Sequence, residues 1–150
     1  MNHEFARCFT KDLDSLAKEV ALCDEDTLLW QVPPGIANSI GNLTQHLIGN
    51  LNHFIGATLG ETGYVRNRDA EFSERYFTKA EMIDELAKTS KMLEKVLGSL
   101  SLEQLDKTYP HEPFGYSMTT NHMIAKLVGH LGYHLGQINY LRRITQGSKS

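Results

Sequence analysis

Two histidines, His130 and His134, are four positions apart in a segment with helical periodicity. Residues at i and i+4 lie on one face of an α-helix, so the two imidazoles can reach one point in space. Such a pair is typical of metal ligands. The intervening Leu131, Gly132 and Tyr133 exclude the glutamate of the metalloprotease motif HExxH. The pair therefore indicates either a metal site or two hydrogen-bonded core histidines, because buried polar groups need partners.

A third histidine ligand would have to come from a different helix. His46 and His53 both lie at the edge of the apolar face of an earlier periodic segment, so either could face the interior of a bundle. His122 points away from the apolar face of its own segment and is a weaker candidate. Spacing alone leaves the choice between His46 and His53 open.

Four segments have the apolar spacing of amphipathic helices. They run from about Asn2 to Cys23, from Asn38 or Ser39 to about Gly60, from Thr78 through Leu100, and onward from Thr119 or Thr120. Gly60 is the expected residue just after the second helix. Capping boxes are predicted at Thr78 with Glu81 and at Ser101 with Gln104, the second of which would begin one further turn. Residues 61–77 are predicted to form a charged connection, and residues 106–117 a loop.

These elements predict an all-α fold, a four-helix bundle whose two long middle connections favour a crossover over simple up-down-up-down topology. The chain of 150 residues is expected to form one domain over residues 1–146, followed by a frayed tail at 147–150.

The composition excludes several classes of function. Fifteen basic and 18 acidic residues give a formal net charge of −3, which does not favour a nucleic-acid partner. No apolar stretch is long enough to span a membrane, and the polar N-terminus is not a signal peptide. Cys8 and Cys23 are predicted on one helix, too far apart to form a disulfide, which favours a reducing cytoplasmic setting.

Two motifs resemble the DinB/YfiT-like superfamily, in particular its small bacterial members. They are the stretches Asn42–Asn50 (NLTQHLIGN) and Gly129–Ile138 (GHLGYHLGQI), and the resemblance covers nearly the whole chain. It implies a bundle with up-down-down-up connections and one divalent metal ion held by His46, His130 and His134. Zinc or nickel is expected, although imidazole also suits manganese and iron. The resemblance further implies a homodimer, because many members are dimers.

Characterised relatives include transferases and isomerases that use a low-molecular-weight thiol such as bacillithiol or mycothiol, and many others are described as metal-dependent hydrolases. Three protein ligands leave at least one coordination position open, as in catalytic sites. The ion could generate hydroxide from bound water or deprotonate a substrate thiol. A hydrolase or a thiol-dependent S-transferase is therefore expected, and the alternative is a non-catalytic bundle that binds a metal or small ligand.

Asn50 and Gln137 are candidates to orient the ligating imidazoles, since each lies one helical turn beyond a histidine. Asp12 and Glu19 border the inner face of the first helix and could supply a carboxylate, although a solvated helix flank is the expectation we favour.

Arg66 and Arg68 could reach an anionic substrate from the 61–77 connection, but a solvated loop is again the favoured interpretation.

Several glycines occur inside predicted helices, where each costs about 1 kcal/mol relative to alanine. They lie roughly opposite the histidine or apolar faces: Gly49 and Gly56 on the second helix, and Gly129, Gly132 and Gly136 on the last. Close backbone packing is expected there, either across a dimer interface or within one chain.

Overall fold

The computed structural model describes residues 3–146, and every regular element in this range is helical. The long helices are α1 (His3–Leu22), α2 (Ile40–Leu51), α5 (Lys79–Ser99) and α7 (Thr120–Gln146). The short helices are α3 (Thr58–Gly60), α4 (Arg68–Ser73) and α6 (Leu102–Asp106), and π-helical turns form at Glu25–Leu29 and Asn52–Ala57. The expected frayed tail at 147–150 lies outside the described residues. Within the described range no helix is long and apolar enough to cross a membrane.

Local capping explains where the helices begin. The Ser39 hydroxyl accepts a hydrogen bond from the backbone N–H of Asn42 at 3.0 Å, so α2 starts at Ile40. Both predicted capping boxes are present, at the starts of α5 and α6. The predicted start of α7 is also correct.

The long helices pack so that α1 and α2 each contact both α5 and α7, whereas α1 and α2 scarcely touch one another. All four contribute to one cluster of buried apolar side chains, which includes Phe9, Leu47, Leu93 and Leu127. Because α2 lies directly against α7, the histidines on these two helices can meet.

The end of the second helical segment differs from the prediction. The segment continues through the π-helical turn and α3, but the left-handed residue that ends it is Glu61 (φ 50°), not Gly60. Gly60 instead lies against Val96 of α5, where a β-carbon would collide with the valine side chain. Gly60 therefore allows the helix to pack closely against α5, and it does not terminate the helix.

The prediction that residues 61–77 form only a charged connection is wrong, because α4 lies within it and docks on α2. The side-chain amides of Asn42 and Gln45 donate hydrogen bonds to the carbonyl oxygens of Glu71 and Glu74 at 2.8–3.2 Å. Gln45 Oε1 accepts from the backbone N–H of Tyr76 at 3.1 Å. Six residues are too few to show periodicity, and these bonds to distant side chains are what hold the helix in place.

Candidate metal centre

Helices α2 and α7 bring His46, His130 and His134 together. Nε2 of His130 lies 3.2 Å from Nε2 of His46 and 3.2 Å from Nε2 of His134. One ring nitrogen from each histidine lies within 4.8 Å of the other two. His53 is outside this group; its ring lies on the π-helical turn and packs against Phe54. The structure thus selects His46 over His53.

The spacing and protonation of these nitrogens fit a divalent cation. Tetrahedral zinc with Zn–N bonds of about 2.0–2.1 Å sets its ligand nitrogens about 3.3 Å apart. The outer nitrogens of His46 and His134 face oxygen acceptors, Glu71 and Gln137, so their protons belong on Nδ1. Two Nε2 lone pairs therefore point at Nε2 of His130, which as an N–H could satisfy only one of them.

The His46 side of the cluster is buried beneath α4. Only 5% of His46 is exposed, and its Nδ1 lies 3.1 Å from Oε1 of Glu71. The ring of Phe72 packs 4.8 Å from the imidazole. Arg66 donates from Nε to Oε2 of Glu71 at 2.8 Å and from its terminal nitrogen to Oε1 at 2.9 Å. The expectation that Arg66 is a solvated or substrate-reaching side chain is therefore wrong, because it forms a buried bidentate ion pair.

Glu71 is ionised in this environment. Burial alone would raise the pKa of its carboxyl group, but the hydrogen bonds from His46 and Arg66 outweigh burial and lower the pKa. A carboxylate that receives N–H donors from two side chains is well suited to fix the orientation of one of them.

Gly49 makes room for this carboxylate. A β-carbon at Gly49 would stand 2.7 Å from the carboxyl carbon of Glu71 and closer still to Oε2. A β-carbon at Gly56 would lie 3.3 Å from atoms of Met92 and Thr62. Both glycines therefore pack within the chain, which is the second of the two alternatives that the sequence left open for them.

The His134 side of the cluster is more open. His134 is half-buried, and its Nδ1 lies 2.7 Å from Oε1 of Gln137, one turn further along α7. The pKa of His134 is lowered by burial and by the nearby His46, although the hydrogen bond to Gln137 acts in the opposite direction. Gln137 is thus placed where the sequence analysis expected it.

His130 lies between the other two histidines. Burial, followed by the proximity of His134 and His46, lowers its pKa to about 4. Its Nδ1 is buried and has no hydrogen-bond partner among the described residues. A neutral imidazole with Nε2 facing the cluster is the form that a metal ion requires.

Other predicted residues do not reach the site. Asn50 is buried, but its Oδ1 has no partner among residues 3–146, so it does not orient an imidazole there. Glu19 pairs instead with Arg142 and Asn139, joining α1 to α7. Asp12 lies outside the histidine group.

Arg68 is exposed, and its guanidinium lies over the ring of Phe72 at 5.3 Å.

Glu71 is the contact that sequence reasoning missed. It is 25 residues from His46 in the chain and lies in a segment without visible periodicity. The available signal was Gly49, a helix-interior glycine three residues after His46, which indicates that another group approaches the helix there.

Comparison with solved structures finds proteins of similar fold. A conserved protein from Enterococcus faecalis has a similar structure, with a TM-score of 0.76 at 16% identity, covering 97% of this chain and 96% of that one. A DinB-like protein from Bacillus cereus has a TM-score of 0.68 at 17% identity, covering 91% and 87% of the two chains. A search of curated proteins gave no significant match. Residues 9–138 match the DinB superfamily, and the chain belongs to it.

Proposed function

We propose that this protein is a metal-dependent enzyme in which His46, His130 and His134 bind one divalent ion, and that it acts as a hydrolase or as an S-transferase using a low-molecular-weight thiol. The observation that carries the proposal is the convergence of three imidazole nitrogens within 4.8 Å of one another, with Nε2 of His130 at 3.2 Å from Nε2 of both His46 and His134. Membership of the DinB superfamily agrees with it. Zinc or nickel is the expected ion, and imidazole ligands also suit manganese and iron.

The ion, when bound, would supply Lewis-acid activation of a water or a thiol. The protein contributes three imidazoles. Burial lowers the pKa of His130 and of His134, and the acceptors at Nδ1 of His46 and His134 leave Nε2 free for coordination. Helix α4 excludes water from the His46 side. The half-buried His130 and His134 leave the α7 side as the route by which a substrate approaches.

A surface groove adjoins the cluster on this side. It has a volume of about 530 Å³ and is lined by His130 together with Phe114, Lys126 and Tyr133. Aromatic rings beside an ammonium group suit a small substrate with an apolar portion and an anionic group. This environment is compatible with either reaction, so activity measurements must choose between them.

Metal content is the first test. We expect mass spectrometry of the untagged protein to find close to one ion per chain, and His134→Ala to lose it. His122→Ala, which removes an exposed histidine from the same helix, is the matched control and retains the ion. A parent protein that holds no metal and takes up none on titration contradicts the proposal.

Activity is the second test. The metal-loaded protein is assayed for hydrolysis and for transfer of bacillithiol, mycothiol and related thiols to electrophiles. Activity that disappears with the ion and returns on reloading supports an enzyme. Metal removal that unfolds the chain, without any detectable activity in the loaded protein, supports a non-catalytic metal-binding bundle instead.

We further propose that the four long helices form an up-down-down-up bundle that dimerises through α7. Gly136 has open space where a β-carbon would lie, and the exposed Tyr140 and Ile144 lie further along the same helix, beyond the residues that line the groove. An uncovered surface with a glycine and large apolar side chains suits a second copy of the chain. Sedimentation showing a monomer at micromolar concentration contradicts the dimer.

A further inference from the structure

One face of α2 is built to hold α4 against the histidine cluster. Asn42, Gln45, His46 and Gly49 follow one another at helical spacings of three, one and three residues. The first two bind the carbonyl groups at the end of α4, His46 contacts the carboxylate of Glu71, and Gly49 leaves the space which that carboxylate occupies.

We propose that Glu71, held by Arg66, is a positioning residue for the metal site: it keeps the proton of His46 on Nδ1 and thereby turns the Nε2 lone pair towards the ion. The inference rests on the proposed function, because it concerns the same site. It assigns a task to a buried ion pair that would otherwise only stabilise the fold.

The hydrogen-bond chemistry determines the tautomer. An ionised carboxylate can only accept, so the 3.1 Å contact with Oε1 of Glu71 requires an N–H at Nδ1 of His46. The terminal nitrogen of Arg66 also lies 3.3 Å from Nδ1, but it is closer to Oε1 of Glu71, at 2.9 Å, and donates there. A neutral imidazole protonated on Nδ1 has its only free lone pair on Nε2, the nitrogen that faces His130.

The carboxylate cannot readily move away. The side chain of Glu71 is 1% exposed, and both of its oxygens receive N–H groups from Arg66. Its backbone carbonyl accepts from Asn42 and Gln45. A ligand whose outer nitrogen is bound by such a fixed acceptor is presented to the metal in one orientation, which generally strengthens binding.

The experiment compares Glu71→Gln with Glu74→Gln in the full chain. Glu74 undergoes the same change of charge three residues away, but its side chain is exposed. In Glu71→Gln the amide N–H₂ must face either Arg66 or Nδ1 of His46. Arg66 is itself a donor, so that contact would be lost, and Nδ1 of His46 would have to give up its proton to accept the amide N–H. We expect the zinc dissociation constant, measured by competition with a chromogenic chelator, to rise roughly ten- to hundredfold. The control should match the parent.

Ring NMR of the metal-free protein reads the orientation directly. Long-range ¹H–¹⁵N spectra should show the proton of His46 on Nδ1 in the parent and in Glu74→Gln. We expect a mixed or reversed tautomer in Glu71→Gln. The Nδ1 of His134 contacts Gln137, so His134 should keep the same tautomer in every variant and serves as an internal reference.

Gly49→Ala displaces the carboxylate without removing any charge, so it is a second and independent test of the contact between Glu71 and His46. Alanine favours a helix, so α2 itself is not weakened. Gly98→Ala is the control, because a β-carbon there meets only an ordinary contact at 3.8 Å from His3. We expect Gly49→Ala to bind zinc more weakly than the parent and Gly98→Ala to bind it as tightly as the parent.

The outcomes separate the two proposals. If the parent binds zinc and both Glu71→Gln and Gly49→Ala bind it equally well with an unchanged His46 tautomer, Glu71 is only structural and the inference is overturned. If the parent takes up none of zinc, nickel, manganese or iron, the proposed function fails, and the His46 tautomer in the metal-free variants still decides whether Glu71 orients the ring.

Discussion

The two outer ligands of the candidate metal centre are supported in contrasting ways. His46 is almost fully buried and contacts an ionised carboxylate that belongs to another helix and is itself held by an arginine. His134 is half-buried and contacts a neutral amide on its own helix, three residues away. Hydrogen bonds to a charged group are roughly twice as strong as those between neutral groups. The His46 side is therefore the rigid half of the site, and the His134 side is the adaptable and accessible half.

The contrast also extends to stability. On the His46 side, the ion pair of Glu71 and Arg66 is buried, so removal of one partner leaves an uncompensated charge. On the His134 side, Gln137 is exposed and its loss strands no charge. Substitutions on the two sides should therefore differ in their effects on folding as well as on metal affinity.

Arg66→Ala is expected to have the largest effect. It leaves the buried carboxylate of Glu71 without its counter-ion and should lower the free energy of unfolding by about 3–5 kcal/mol at neutral pH. Urea denaturation followed by circular dichroism measures this change. Arg68→Ala, on the exposed side of α4, should remain within about 0.5 kcal/mol of the parent. Equal effects of the two substitutions would show that the His46 side is not the rigid half.

Glu19→Gln tests whether loss of a different, partly buried ion pair weakens the metal site. Burial raises the pKa of Glu19, but hydrogen bonds from Arg142 and Asn139 outweigh it and lower the pKa overall. The pair therefore stabilises the fold above the unfolded-state pKa of about 4.3, and this contribution is lost as the pH falls through the lower folded-state pKa. We expect a loss of about 1.5–3 kcal/mol at pH 7, with a shallower decline of stability in acid.

Zinc affinity should be unchanged in Glu19→Gln, because its partners Asn139 and Arg142 lie further along α7 than His134 and outside the histidine cluster. Denaturation curves between pH 3 and 7, paired with chelator competition, provide both readouts. Weakened zinc binding in this variant would mean that a loss of zinc affinity in Glu71→Gln is not specific to Glu71, so that the His46 tautomer alone would test its role.

Gln137→Ala is expected to have the smallest effect. Loss of its 2.7 Å contact with Nδ1 of His134 should weaken zinc binding by less than about tenfold, the lower limit typical for groups that orient a ligand. Gln137→Glu replaces the amide with a carboxylate and should bind zinc at least as tightly as the parent. A larger loss of zinc affinity in Gln137→Ala than in Glu71→Gln would mean that the His134 side, and not the His46 side, supports the metal site more strongly.

The sequence by itself determined the long helices and much of their ends. Their apolar periodicity and the capping pairs Thr78–Glu81 and Ser101–Gln104 are local features, and local hydrogen bonds enforce them. The spacing of His130 and His134 is local too, because one helix carries both residues. Gln137 could be placed beside His134 for the same reason.

Only the tertiary structure decided how His46 is supported. The packing of α2 against α7 selected His46 over His53, and α4 became visible only through its docking on Asn42 and Gln45. A helix of six residues has no stability of its own, so side chains from α2 must bind its carbonyls. The contact between Glu71 and His46 depends on that docking and on the space left at Gly49, and nothing in the local sequence around Glu71 encodes it.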